Sequence, residues 1–404
     1  MQELCVLHVT PYSGDTWAYG GIPRLSQAMA RSLADRGHRV TICTTDAYDA
    51  DNRLRLPDGD ARARFFAWEP VRTSERITTR VFPNLSNRLA YHHQVFAPIG
   101  LRSFLREHAL SYDVAHLHAC RNLPGVIAAR CLREAGVPYV LAPNGTAPVI
   151  ERRHLAKRLF DVALGIDVTR HAHRVLAVTE AERRQLRDIG VDEDRIRLIP
   201  NPIDLAEFSQ PPQPGAFRGR HGLTGPVVAF LGKITPRKRV DALIRAFAKL
   251  KTSHATLVVA GNDMGAEASA RATAAAVGVA DRTRFAGLLQ GAERLELLAD
   301  ADVVVYPSEH EIFGLVPLEA LLVGTPVVVA DDSGCGEVVS HVGGGLVVSG
   351  ADAALTRAID TVLGQPGDWR AAARAAAHEV RARFGAEAVG ARLEELYGEV
   401  MRTH

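Results

Sequence analysis

Two clusters of charged residues in the second half of the sequence are spaced so that they could do chemistry. The first lies in VVAFLGKITPRKRVDALIRAF (227–247), where an apolar run ends at Gly232 and Lys233, Arg237, Lys238 and Arg239 follow. Cations at the start of a helix oppose its dipole, so this placement calls for an anionic partner. Lysine supplies a point charge and arginine a two-pronged fork, a pairing that suits a diphosphate. A solvated basic turn has the same composition. The second cluster is YPSEHEIFGLVPLEALLVGTPVVVADDSGCGEVV (306–339), in which a strand delivers Glu309, His310 and Glu311 to a loop. Phe313 and Gly314 follow, and Glu319 sits on the next helix. Glu311 precedes that helix, so the two acids can converge on one ligand from loop and helix. Carboxylates accept hydroxyl protons, while the Phe313 and Gly314 amides at a helix start favour an anion. The set suits a polyhydroxylated group joined to a phosphate, although acids at this spacing also arise by chance.

Other candidates are more local. Gly20 and Gly21 close the loop after the first apolar run, and Pro23 opens a helix, as proline in a first turn does. Adjacent glycines there let backbone approach a ligand, and a turn that merely needs positive φ reads the same way. The loop is neither a G-x-G-x-x-G fingerprint nor a P-loop. His116 and His118 share one face of a strand and could begin a metal site, but no third ligand with plausible spacing follows. No metal is therefore expected; a packed structural histidine and a ligand-contacting His118 both stay open. His92, His93, His171 and His173 read as surface or packing residues.

The elements that must position these residues alternate. Short Val/Ile/Leu-rich runs at 4–10, 39–45, 113–118, 139–142, 174–179 and 196–200, then at 227–232, 256–261, 283–287, 302–307, 326–330 and 345–348, lack polar alternation. Such runs read as strands buried on both faces of a parallel sheet. Helical patterns at 23–36, 97–109, 122–135, 179–189, 238–251, 291–299 and 315–323 separate them, which implies doubly wound sheets. Residues 201–226, rich in Pro, Gly and polar side chains, read as a linker. The expected organisation is two α/β domains, 1–204 and 205–385, with a ligand cleft between them and a last amphipathic helix over 386–402.

With 404 residues the chain exceeds one ordinary core, and its 47% hydrophobic and 23% charged content argues against disorder. Net charge is +2, which excludes a nucleic-acid binder that relies on a broad basic field. Residues 1–200 hold 28 Lys and Arg against 22 Asp and Glu, and 201–404 hold 20 against 24, so the first half alone is basic. Five scattered cysteines, Cys5, Cys43, Cys120, Cys131 and Cys335, support neither a disulfide framework nor a zinc knuckle. The N-terminus lacks a basic region before its short apolar run, and no apolar stretch reaches about 18 residues. The expected location is cytoplasmic. The segment 151–165, basic on one side and apolar on the other, offers peripheral contact at the inner face of a membrane, or packs on its own domain.

These residues together resemble the retaining GT-B glycosyltransferases, specifically glycosyltransferase family 4 (group 1). The resemblance runs through the Gly-Gly loop and LADRGHRVTICTT, DVAHLH, RVLAVTEAER, IRLIPNPID, FLGKITPRK and the Glu311–Glu319 segment. It implies two Rossmann-like, doubly wound domains facing a cleft, with the final helix 386–404 packed back on the first. It implies a nucleotide-sugar donor of UDP or GDP type as co-substrate, no metal cofactor, and a retained anomeric configuration. Position by position, Glu319 would hold the ribose hydroxyls and Glu311 the transferred sugar. Lys238 and Lys233, assisted by Arg237, would bind the diphosphate. Amides of Phe313, Gly314 and Leu315 would meet the sugar or distal phosphate, Gly21 would approach the phosphate from the first domain, and the base would lie near 285–288. His118 matches a family histidine near the sugar's primary hydroxyl. Lys233 stands where arginine is common, Arg239 where glycine is common, and Asn144 where histidine is frequent, so no acceptor residue is carried over. The first expectation for the acceptor is a lipid-linked saccharide in polysaccharide or glycoconjugate synthesis; a small natural-product aminocyclitol or sugar phosphate is the alternative. An epimerase or phosphorylase on a similar fold, and a non-catalytic binding protein, are the competing classes.

Overall fold

The computed structural model describes residues 2–12, 14, 16, 21–54, 72–148, 160–332 and 334–404. The chain divides into two compact units, Met1–Ile203 with Ala386–His404, and Asp204–Gly385. In the first, strands β1 (Cys5–Val9), β2 (Arg39–Thr45), β3 (Arg72–Thr73), β4 (Ile77–Phe82), β5 (Val114–His118), β6 (Tyr139–Ala142), β7 (Arg174–Ala177) and β8 (Ile196–Leu198) form one sheet, ordered β3-β4-β2-β1-β5-β6-β7-β8. All neighbours are parallel except the short β3–β4 pair. β5 and β6 are buried at every residue, as continuous apolar runs require. The first helix, Gly21–Asp35, turns Leu25, Met29 and Leu33 inward at helical spacing. The helix Ala386–Thr403 belongs to this unit: Val389, Leu393, Leu396, Tyr397 and Val400 join Val6, Met29, Leu33 and Val114 in one core cluster. Its Glu399 meets Arg174 and Arg197, and the hydrogen bonds from Arg197 and Arg174 hold its carboxyl at about 2.

The second unit carries β9 (Val227–Leu231), β10 (Thr256–Ala260), β11 (Thr283–Gly287), β12 (Val303–Tyr306), β13 (Val327–Ala330) and β14 (Gly345–Val348), ordered β11-β10-β9-β12-β13-β14 and parallel throughout. This is the Rossmann order. The stretch 201–226 is mostly built into this unit rather than being an open linker. It holds a turn at Leu205–Phe208 and a helix at Ala216–His221, whose Phe217 is buried and whose Arg218 reaches Asp302 and the Asp300 carbonyl. Two of its glycines serve the helix ends, Gly215 and Gly222 lying at φ 80° and 61°. Among the described residues no helix is long and apolar enough to cross a membrane.

Strand order reverses between β1 and β5 in the first unit and between β9 and β12 in the second. Open α/β sheets bind ligands beyond the carboxyl ends of the strands at such reversals.

Candidate active site

β9 leads through Gly232 and Lys233 to a 3-10 turn, Pro236–Lys238, before the helix Val240–Phe247 begins. The cations therefore precede the helix instead of running into it. Arg239 joins turn to helix in the left-handed region, φ 51°, where a glycine fits without strain, and its Nη1 lies 3.2 Å from Glu309 Oε1. β12 ends at Tyr306, and the loop beyond is tied down at several points. The Glu309 amide donates to the Arg237 carbonyl at 2.9 Å and the Cys335 amide to the Glu311 carbonyl at 2.8 Å. Arg237 Nη1 donates to the His310 carbonyl at 3.1 Å, and the His310 amide to Asp332 at 2.8 Å.

This tethering sets Lys238 against Glu311. Lys238 Nζ donates to Glu311 Oε2 and to the Tyr306 hydroxyl, and stands 4.4 Å over the Tyr306 ring. Burial pushes the Lys238 ammonium down from its ordinary value while Glu311 pulls it up. Burial opposes ionisation of Glu311 as well, yet Lys238, Arg237 and Lys233 hold its carboxyl below the usual range. One carboxylate thus sits among three cations.

Phe313 is buried edge-on against Phe384, with ring centroids 5.3 Å apart. Gly314 caps the helix Leu315–Leu322 at φ 77°, where a Cβ would collide with Cys335 Sγ. The amides of Phe313, Gly314 and Leu315 donate to no acceptor among the described residues. Glu319, on that helix, is 1% exposed and accepts from Arg294 Nη1 at 2.7 Å, while Arg294 Nη2 meets Glu207. The structure therefore brings Lys233, Arg237, Lys238 and Glu311 together and places Glu319 in a neighbouring buried ion network.

The first unit holds the other two candidates. Gly21 opens the first helix, and Gly20 lies outside the described residues. His118 ends β5, fully buried. The sequence showed no third histidine near it, but the β1–β5 ladder sets His8 directly opposite His116. His118 Nε2 is 3.1 Å from His8 Nδ1, and His116 Nδ1 is 2.7 Å from the Tyr397 hydroxyl. Ligand atoms of the three lie within 4.8 Å of one another. The His116 and His118 rings stack nearly parallel, 7° apart, so they do not aim at one point. Burial lowers all three, His118 to about 3, which leaves a cluster of neutral imidazoles. Of the basic segment 151–165, residues 151–159 lie outside the described residues; Asp161 pairs with Arg121 at 2.8 Å.

The family model described as "Glycosyltransferase Family 4" matches residues 19–207, and "Glycosyl transferases group 1" matches 216–380. A D-inositol 3-phosphate glycosyltransferase from Acidothermus cellulolyticus is 32% identical over 85% of this chain and 77% of its own length. The chain belongs to glycosyltransferase family 4, group 1. A second D-inositol 3-phosphate glycosyltransferase, from Thermobispora bispora, is 32% identical, covering 98% of this chain and 92% of that one. Among solved structures, sucrose-phosphate synthase from Thermosynechococcus elongatus superposes with a TM-score of 0.75 at 21% identity, covering 100% of both chains. HepE of Anabaena, solved with UDP and glucose, gives 0.73 at 20%, covering 98% of this chain and 100% of that one. The fold is thus that of the GT-B glycosyltransferases.

Three residues carry no local signal of their role: Tyr306 ends β12, Arg294 lies within the helix Gly291–Asp300 and His8 lies within β1. Only the fold brings each to its partners.

Proposed function

We propose that this glycosyltransferase takes its sugar from a uridine diphosphate donor and passes it, with retention at the anomeric carbon, to a hydroxyl of a small phosphorylated polyol. The observation that carries the donor reading is the cluster of Lys238, Arg237 and Lys233 around Glu311 at the β9/β12 reversal. HepE, of the same fold, has been solved with UDP-glucose. The acceptor reading rests on the relatives named D-inositol 3-phosphate glycosyltransferases, and it favours the sugar-phosphate alternative over a lipid-linked saccharide.

In this reading the diphosphate docks among the three cations, with its distal oxygens toward the amides of Phe313, Gly314 and Leu315. The bond from the anomeric carbon to the phosphate oxygen breaks, and its electron pair stays on the diphosphate. A new bond forms from the same carbon to the acceptor oxygen, and the acceptor's proton passes to the departing phosphate oxygen. Charge builds on the leaving group and on an oxocarbenium-like sugar, so cations fixed in advance do most of the work. Glu311 orients Lys238 before the donor arrives and contacts the sugar afterwards.

The test is nucleotide release from UDP-glucose with inositol phosphate as acceptor, comparing wild type with Lys238→Ala. Loss of one preorganised contact lowers turnover by about 10²–10³. Turnover within about threefold of wild type would remove Lys238 from the mechanism.

A further inference from the structure

We propose that the first unit carries an anion site of its own, near the amino ends of β1 and β2, that takes a small phosphate monoester. It goes beyond the donor reading above, whose cations lie in the second unit. The parallel register sets Cys5 opposite Arg39, Thr41 opposite Thr78 and Cys43 opposite Arg80. Side chains alternate along a strand, so Arg39, Thr41, Thr78 and Arg80 share one face of the sheet. Against that face, beside the helix Leu101–His108, lies a cavity of about 280 Å³ lined by all four and by Arg76, Phe104 and Tyr112. It opens at the end of the sheet away from the carboxyl ends, where ligands of open α/β sheets ordinarily bind.

Arg80 carries the argument. Its guanidinium lies 4.7 Å over the Phe104 ring, its Nε and Nη1 are buried without a hydrogen-bond partner, and it makes no ion pair among the described residues. Buried polar groups are ordinarily bonded and partly buried charges paired, so an unpaired guanidinium in a cavity wall calls for an anion in the cavity. The acids nearby do not supply one. Burial pushes the Tyr112 hydroxyl up to about 12 and raises the Cys43 thiol as well, so both are neutral at pH 7. Glu3 is held by Arg76 at 3.1 Å and Arg39 at 3.5 Å, and Glu75, also in the lining, is exposed. The hydroxyls of Thr78 and Ser111 add neutral donors to the wall. Guanidinium and hydroxyl donors on different sides suit the tetrahedral phosphate oxygens, while Phe104 and Tyr112 give an organic body an apolar surface.

The experiment is calorimetry without nucleotide, with glucose 6-phosphate as the probe, on wild type, Arg80→Met, Arg80→Lys, Ser111→Asp and Lys238→Ala. Wild type and Lys238→Ala should bind it alike, because the donor cations take no part. Loss of a charged hydrogen-bond donor should weaken binding about 10- to 100-fold in Arg80→Met, and less in Arg80→Lys. Ser111→Asp sets a negative charge at an exposed position of the lining, and it carries the same comparison if Arg80→Met does not fold. Inositol 3-phosphate, run as a second probe on Lys238→Ala, separates a site for the proposed acceptor from one for other phosphate monoesters; binding of either that falls with Arg80→Met supports the site. Equal affinity of wild type, Arg80→Met and Ser111→Asp for both probes, binding lost in Lys238→Ala alone, or no binding by wild type at millimolar concentration overturns the proposal.

Discussion

Acid should destabilise the first unit through three histidines, and the size of the effect can be worked out. His8, His116 and His118 are 0% exposed, and burial holds all of them below the ordinary 6.5, His118 at about 3. In the unfolded chain the same imidazoles take up protons near 6.5. A histidine with a depressed folded value contributes no penalty above that pH, and its penalty grows as pH falls through 6.5 toward the folded value. Each imidazole that stays neutral therefore costs about 1.4 kcal/mol at pH 5.5, and the three together about 4 kcal/mol. Against a total stability of about 5–15 kcal/mol that is a large loss. Urea unfolding followed by circular dichroism at pH 7.5, 6.5 and 5.5 would measure it. His8→Gln removes one titrating group and keeps a side chain able to bond His118 Nε2, so its pH dependence should be shallower by about 1.4 kcal/mol at pH 5.5. Comparison with wild type cancels the remaining histidines. Parallel curves for the two proteins, or an imidazole NMR titration of His118 near 6.5, would refute the reasoning.

Three further outcomes follow from local geometry. Gly314→Ala places a side chain at φ 77° against Cys335 Sγ, so a loss of about 1–3 kcal/mol by thermal unfolding is expected, with weaker UDP binding. Arg239→Gly relieves a left-handed backbone worth about 1–2 kcal/mol but gives up a half-exposed pair with Glu309 worth about 0.2–1 kcal/mol, so thermal unfolding should move by no more than about 2 kcal/mol and not downward. Truncation after Gly385 strips Val389, Leu393, Leu396, Tyr397 and Val400 from the first core, at about 1.5–3 kcal/mol each. Limited proteolysis of that variant should digest residues 1–203 and leave 204–385 intact.

The central strands were readable because parallel strands covered on both faces leave uninterrupted apolar runs, as in VVAFLG and DVVVYP. β4 was not, because ITTRVF lies beside the two-residue β3 with Ile77 to Val81 only half-buried, so no apolar run was needed. The helices Glu267–Ala276 and Pro366–Phe384 were missed for a related reason: the first buries Ala270 and Ala274 and the second Ala373 and Ala376 with Val380 and Phe384, too few large side chains for a broad apolar stripe. The pair Lys238 and Glu311 was legible as residue types at the ends of two strands. Arg294 was not, since its burial is caused by carboxylates 87 and 25 residues away, and no local pattern announces a guanidinium that will be enclosed. His8 needed the β1–β5 register, which sequence order conceals because three strands, β2, β3 and β4, come between the two neighbours along the chain.

The two sheets share a strand order around their reversals, yet the side chains placed there could hardly differ more. At the β9/β12 reversal, Lys238 and Glu311 retain 9% and 18% side-chain exposure, and a loop pinned by Asp332 and Cys335 leaves the amides of 313–315 open at a helix start. Charge survives there because it is paired and partly wet. At the β1/β5 reversal the polar groups are imidazoles at 0% exposure, and the chain beyond β5 is locked by Arg121, which clamps Asp161 and the carbonyls of Thr146 and Ala147. A phosphate brought against neutral, buried rings would find no counter-charge, whereas a hydroxyl would find nitrogens able to accept or donate: His8 Nε2, His116 Nε2 and His118 Nδ1 have no partner among the described residues.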